Sequence, residues 1–184
     1  KSRSITPSVD WVGAVDWERG LFDALIPLPD RTSYNAYLIR GSEKTALIDA
    51  VDPALLNVLM TRLEGVEKID YIISLHAEQD HSGGLPAVME KYPSAQLLAS
   101  PKGKETLATH LPIPADRIQA LQDGETISLG DKSASLFQTT TGGQRGAAST
   151  ISVSRTAATL TRVSGSTIQV VGQLKGGVLG GCPG

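Results

Sequence analysis

Leu75-His76-Ala77-Glu78-Gln79-Asp80-His81-Ser82-Gly83-Gly84 is the stretch that decides the fold, and the rest of the chain is read outward from it. It places four side chains able to bind metal within the six positions from His76 to His81. Just before it, Tyr71-Ile72-Ile73-Ser74-Leu75 is a short, nearly continuous apolar run, the form of a strand buried on both faces. A strand end anchors the first ligand on rigid scaffold, and the loop after it lets the side chains at i, i+2, i+4 and i+5 turn toward a common centre. The glycines after His81 are expected to permit a tight turn into the next helix. Two imidazoles and two carboxylates suit divalent first-row metals. Two ions about 3.5–4 Å apart need that many ligands plus others from distant segments, so a dinuclear centre is the expected arrangement. The bland alternative is an exposed polar loop whose histidines only solvate or cap the following helix; position and spacing weigh against it.

Upstream, the alternation from Val9 to Val15 predicts a strand, as do Asn35 to Arg40 and Thr45 to Ile48, with Gly41-Ser42-Glu43-Lys44 as a hairpin turn. Asp52 is placed as the N-cap and Pro53 as the first turn of a helix to about Glu64, with Leu55, Leu56, Leu59 and Leu63 on the stripe facing a sheet. Downstream, Leu85 to Tyr92 reads as a helix and Gln96 to Ala99 as a strand. Ser100-Pro101 caps a further helix to about Thr109. Short strands follow at Arg117 to Leu121, Glu125 to Leu129 and Ser133 to Phe137, separated by the turn dipeptides Asp123-Gly124 and Gly130-Asp131. Strands and helices mixed in this order imply a layered α/β or α+β domain.

The composition changes sharply past Phe137, since no Asp, Glu or His occurs from Lys132 to Gly184. This Gly/Ser/Thr-rich stretch allows strands at Thr150 to Val153 and Thr167 to Val171, with low complexity as the competing reading. The chain therefore divides into an expected domain at 1–137 and an atypical tail at 138–184. At 184 residues it is long enough for one globular domain. A net charge of −2 with interspersed signs offers no basic patch, which argues against nucleic acid as a partner. The lone Cys182 excludes an intrachain disulfide framework and fits a reducing compartment. No apolar run approaches the ~20 residues needed to cross a bilayer, and no signal peptide opens the chain, so a cytoplasmic location is expected. The missing initiator Met suggests a fragment.

Strand, then His76-x-Glu78-x-Asp80-His81-Ser82-Gly83, then helix resembles the metal loop of the metallo-β-lactamase superfamily. Most of that superfamily are zinc hydrolases with a His in the second position. Glu78 stands there in this chain, as in the flavodiiron or A-type flavoprotein family. The extra carboxylate makes the site harder and more anionic, which suits iron or manganese better than zinc. Trp11-Val12-Gly13-Ala14-Val15-Asp16-Trp17, Thr32-Ser33-Tyr34-Asn35-Ala36-Tyr37-Leu38-Ile39 and Ala46-Leu47-Ile48-Asp49 look like that family's opening strands. The resemblance runs from about Ile5 to Phe137. It implies an α+β metallo-β-lactamase-like fold, an αββα sandwich, here incomplete and followed by the atypical tail. It further implies an oxidoreductase that reduces dioxygen or nitric oxide at a non-haem di-iron centre with electrons from FMN. By the same resemblance His76 and Glu78 would bind one iron and Asp80 the other. His81 is a ligand in many relatives but not all. A rubredoxin or flavin reductase as electron donor and a homodimer complete what the resemblance implies.

The sequence departs from that family after Phe137. The family's further His, bridging Asp and final His have no counterpart, and the FMN domain is absent from this sequence. Such a break looks like a changed reading frame or a misjoined coding sequence; a divergent tail is the alternative. The expectation for this chain alone is weak metal binding without its relatives' activity. A zinc hydrolase and a non-catalytic remnant are the competing functions. His110 is expected to cap its helix C-terminus rather than to bind metal. Trp11 and Trp17 are expected in the core. Cys182 is expected to be inert, and Ser82 has no triad partners.

Overall fold

In the computed structural model, residues 2–22, 25–141, 144–155, 160–164 and 167–170 are described. Cys182, and with it the expectation of an inert thiol, lies outside them. The strands in chain order are β1 (Arg3–Thr6), β2 (Val9–Trp11), β3 (Ala14–Asp16), β4 (Leu21–Phe22), β5 (Ile26–Pro27), β6 (Thr32–Tyr34), β7 (Tyr37–Arg40) and β8 (Thr45–Ile48). A 3₁₀ turn at Pro53–Leu55 leads into α1 (Leu56–Arg62). Then come β9 (Tyr71–Ile73), α2 (Gln79–Ser82), α3 (Leu85–Lys91), β10 (Gln96–Ala99) and α4 (Pro101–His110). A second 3₁₀ turn at Ala115–Arg117 precedes β11 (Ile118–Ala120), β12 (Thr126–Ser128), β13 (Lys132–Thr141), β14 (Gln144–Arg155), β15 (Leu160–Ser164) and β16 (Thr167–Val170).

Among the described residues these strands build two main sheets. One runs β1-β2-β7-β8-β9-β10-β11, antiparallel as far as β8 and parallel from β8 to β11. The other is the antiparallel meander β12-β13-β14-β15-β16. The first sheet is apolar on both faces, because each strand sends alternate residues to opposite sides. Leu38, Leu47, Ile72 and Leu97 pack against Leu59 and Leu63 beside α1, Leu85 and Val88 of α3 and Leu107 of α4. Ile39, Ile48, Ile73 and Leu98 face Leu129, Ala134, Leu136, Ile151 and Val153 on or beside the second sheet. The result is the helix–sheet–sheet layering of the expected αββα sandwich, with helices described on one side. None of the described helices is long and apolar enough to cross a membrane.

Local chemistry explains the element ends. Asp52 caps the first turn by accepting from the Ala54 N–H, and Ser100 Oγ accepts from Gly103 N at the start of α4. His110 closes α4 with Nδ1 2.9 Å from the Thr106 carbonyl and stands exposed, the capping arrangement expected for it. Gly124 and Gly130 take φ of 77° and 97° in the turns flanking β12, where a left-handed conformation favours glycine. Ser42 and Asp131 tie the β7–β8 turn to the turn before β13 through reciprocal 2.8 Å bonds.

Two expectations need correction. The strand from Val9 to Val15 is broken into β2 and β3, which join different sheets. Between them Gly13 lies so close to the Tyr34 carbonyl that a Cβ there would collide with it. Trp17 is 69% exposed rather than in the core, because β3 ends at Asp16 and the chain bends there toward the β4–β5 hairpin. Trp11 is partly buried, donating from Nε1 to Asn35 Oδ1 and stacked under the Arg62 guanidinium.

Candidate metal centre

The loop after β9 rests on three backbone ties. Asp49 N bonds the Ile73 carbonyl, Ala50 N bonds the His81 carbonyl, and Gly84 N bonds the Val51 carbonyl, so the ends of β8 and β9 travel together. The second sheet touches the loop where Ser149 N donates to the Leu75 carbonyl at 2.8 Å. Within the loop, residues expected to be irregular form the single turn α2. Ser82 is buried there, and its hydroxyl donates to the carbonyls of Ala77 and Glu78, a structural use that leaves it no nucleophilic role. Gly83 is required for a different reason from the tight turn expected of it. Its φ is −62°, open to any residue, but a Cβ would sit 2.6 Å from the Pro53 ring.

The four sequence-predicted ligands share one loop and meet in neighbouring pairs rather than at one centre. His76 and His81 have ring centroids 5.7 Å apart. His76 Nε2 lies 3.0 Å from Glu78 Oε1, and His81 Nε2 lies 3.6 Å from Asp80 Oδ2. Glu78 is the most open of them, with its side chain 63% exposed. Burial pushes the His81 imidazolium below its ordinary range, against the pull of Asp80, and so keeps the ring in the neutral form that ligates metals.

Asp49 is the residue that sequence reasoning did not assign. Its carboxylate is buried, Oδ1 accepts from Leu75 N at 2.7 Å, and the His76 N–H bonds it as well. Oδ2 lies 3.8 Å from His81 Nδ1, too far for a hydrogen bond. Desolvation raises the Asp49 pKa well above the usual carboxylate range, with the two backbone donors opposing. The signal was present: a lone acid between the apolar runs Ala46-Leu47-Ile48 and Ala50-Val51 must be buried and partnered.

A second polar group stands beside the loop. The Tyr34 hydroxyl accepts from Arg19 Nη1 and donates to Asp16 Oδ2, each at 3.0 Å. Burial pushes the Tyr34 phenol up to about 12, partly offset by the bond from Arg19. A folded-state pKa above the unfolded value of 10.0 means that the native state holds its proton while the unfolded chain loses it. Stability is therefore expected to fall as pH rises from 10.0 to about 12, and Tyr34→Phe to flatten that decline, measured by urea unfolding at successive pH values.

Chemically the loop fits a divalent first-row ion. The donor types are right, and His81 Nδ1 is buried without a hydrogen-bond partner, as a nitrogen reserved for another ligand would be. Yet among the described residues no three such side chains are gathered closely enough to hold an ion as they stand. The sequence offers no His, Asp or Glu after Asp131 to supply a second ion's ligands. The loop thus carries donors of the right types without a gathered ligand set among the described residues.

The model of the metallo-β-lactamase superfamily matches residues 29–173. The chain belongs to that superfamily. Within it, the chain is 37% identical over 141 residues to a type A flavoprotein of Rhodobacter capsulatus, matching 74% of this chain and 32% of that protein. It is 34% identical to a nitric oxide reductase of Moorella thermoacetica, over 73% of this chain and 35% of that protein. In three dimensions it resembles the rubredoxin oxygen:oxidoreductase of Desulfovibrio gigas, with a TM-score of 0.74 and 29% identity, covering 84% of this chain and 38% of that one. The superfamily fold and the resemblance to flavodiiron proteins both hold. The chain spans about a third of the length of the curated relatives it matches.

Proposed function

We propose that this chain is the metal-binding part of a flavodiiron-type oxidoreductase acting on dioxygen or nitric oxide, and that alone it holds at most one ion and does not turn over. The observation that carries the reading is Glu78 in the second position of the His76-x-Glu78-x-Asp80-His81 loop, 3.0 Å from His76. The names of the relatives support oxidoreduction of these gases. In a complete site His76 and Glu78 would hold one iron and Asp80 the second, and His81, whose buried Nδ1 has no hydrogen-bond partner, would be a further ligand. Iron bound there would supply one-electron exchange with the gas, and FMN would supply the electrons. The chain's own part is positional: Asp49 and the β8 end fix the loop, and the carboxylates offset positive charge. A rubredoxin-type donor, a cytoplasmic setting and a homodimer belong to the same proposal. The absence of His, Asp and Glu after Asp131 supports the lack of turnover by this chain.

Elemental analysis of protein from iron-supplemented cells tests this, beside a His76→Ala, Asp80→Ala double variant. The expected result is no more than one iron per chain, with that iron lost in the variant. Two irons per chain with gas reduction would overturn the claim of inactivity. Stoichiometric zinc would favour a hydrolase, to which the ion would supply activation of water toward an ester, thioester or lactam carbonyl. Metal retained undiminished by the variant would sink the loop as the site.

A further inference from the structure

We propose that Arg19 is a latch: its guanidinium, hooked between the Tyr34 hydroxyl and the Asp52 carboxylate, holds the β4–β5 excursion against the domain as a strap that opens as a unit when the hook is lost. The inference is independent of the metal reading of the loop.

The chain leaves the body of the fold at Asp16 and returns at Thr32, two residues paired across the β3–β6 ribbon. Between them, residues 17–22 and 25–31 are described. Their regular structure is the pairing of Leu21 with Pro27 and Phe22 with Ile26, closed by Leu28 N bonding the Gly20 carbonyl at 2.9 Å. A two-stranded ribbon of that size is marginal in water unless it packs an apolar face against something else. Among the described residues this one does not: Trp17, Leu21, Leu25 and Ile26 are all exposed, Leu25 by 82%, and neither apolar core takes a residue from 17–31.

Polar ties at the root supply the hold instead. Asp16 Oδ1 accepts from Glu18 N and Arg19 N, each at 3.0 Å, which bends the chain at the end of β3. Arg19 Nη1 then donates to Tyr34 at 3.0 Å and reaches Asp52 Oδ2 at 3.5 Å. Both anchors are fixed by the body of the fold. Tyr34 is buried in β6 and donates to Asp16 Oδ2, while Asp52 caps the 3₁₀ turn through Ala54 N. The same turn receives the end of the candidate metal loop, where a Cβ on Gly83 would lie 2.6 Å from the Pro53 ring. The strap therefore hangs from the turn on which that loop leans. Charge-assisted bonds at a partly exposed root outweigh the few neutral bonds within the ribbon, so losing the guanidinium is felt in the strap while the sandwich keeps its packing.

Hydrogen exchange followed by mass spectrometry, on wild type, Arg19→Ala, Arg19→Lys and Asp52→Asn, resolves the strap from the sandwich. In Arg19→Ala, exchange across residues 18–31 is expected to be faster by about ten-fold, with β7 to β10 unchanged within ~two-fold. Arg19→Lys keeps a charged donor and is expected to stay within about three-fold of wild type. Asp52→Asn keeps the cap acceptor but loses the charge, and is expected to fall between the two. Strap exchange as slow as wild type in both Arg19→Ala and Asp52→Asn would overturn the latch. Exchange accelerated equally in strap and sandwich, or failure of Arg19→Ala to fold, would overturn it as well, by making Arg19 a support of the whole domain.

Discussion

Asp49→Ala is expected to lower the unfolding free energy by about 3–5 kcal/mol, and Asp49→Asn by less than half as much. The carboxylate accepts from the Leu75 and His76 backbone N–H groups in the interior. Each buried donor left without an acceptor costs about 1–3 kcal/mol. Backbone conformation adds to this, since Asp49 sits at φ 54°, a left-handed position that Asn and Asp tolerate and Ala does not. Asn keeps both an acceptor oxygen and that tolerance. Urea unfolding in the presence of a chelator measures the difference without any contribution from bound metal. An Ala variant within ~1 kcal/mol of wild type would mean that Asp49 does not hold the strand ends together. The same substitution is expected to loosen the loop that carries His76 and Glu78, because the His76 N–H would lose its anchor.

Much of this centre was legible because its determinants are local. A buried strand announces itself by an apolar run, and four candidate ligands within the six positions from His76 to His81 are visible without distant information. The caps at Asp52 and Ser100 and the turns at Gly124 and Gly130 were readable for the same reason: a side chain bonds its own neighbours, or a glycine takes a conformation other residues avoid. What escaped depends on long-range contact. Asp49 matters only because β8 and β9 lie side by side and parallel, a pairing that joins residues 25 apart such as Ala46 and Tyr71. Arg19 reaches Tyr34 and Asp52 only because the chain past β3 folds back toward them. Gly83 was placed correctly for the wrong cause, since the Pro53 ring that excludes a Cβ comes from another turn. Trp17 misled because hydrophobicity favours burial only where a strand continues to supply a buried face, and β3 stops one residue earlier.

Ile72→Ala and Ile73→Ala are each expected to cost about 2–5 kcal/mol, and the pair tests the layered architecture face by face. Both residues are fully buried in β9, but they point to opposite sides of the sheet. Ile72 packs in the core shared with α1, α3 and α4, so its truncation opens a cavity beneath the helices. Ile73 packs between the two sheets, where Leu136 and Ile151 come from β13 and β14. Its cost depends on the Ser- and Thr-rich strand β14 lying where it does. Ile151→Ala should then be costly too, by about 2–4 kcal/mol, despite a sequence neighbourhood that suggests little burial. The packing there carries a penalty of its own, because Ser149, on the same face of β14 as Ile151 and Val153, buries its hydroxyl without a hydrogen-bond partner. That penalty reduces the net gain from docking the second sheet, which is why the Ile73 and Ile151 variants should unfold β12–β14 more readily than the helical layer. Hydrogen exchange resolves the two outcomes. Protection lost first in β13 and β14 supports two packed sheets with unequal stability. A negligible cost at both Ile73 and Ile151, beside a large one at Ile72, would mean that the inner face of the first sheet is not covered by β14.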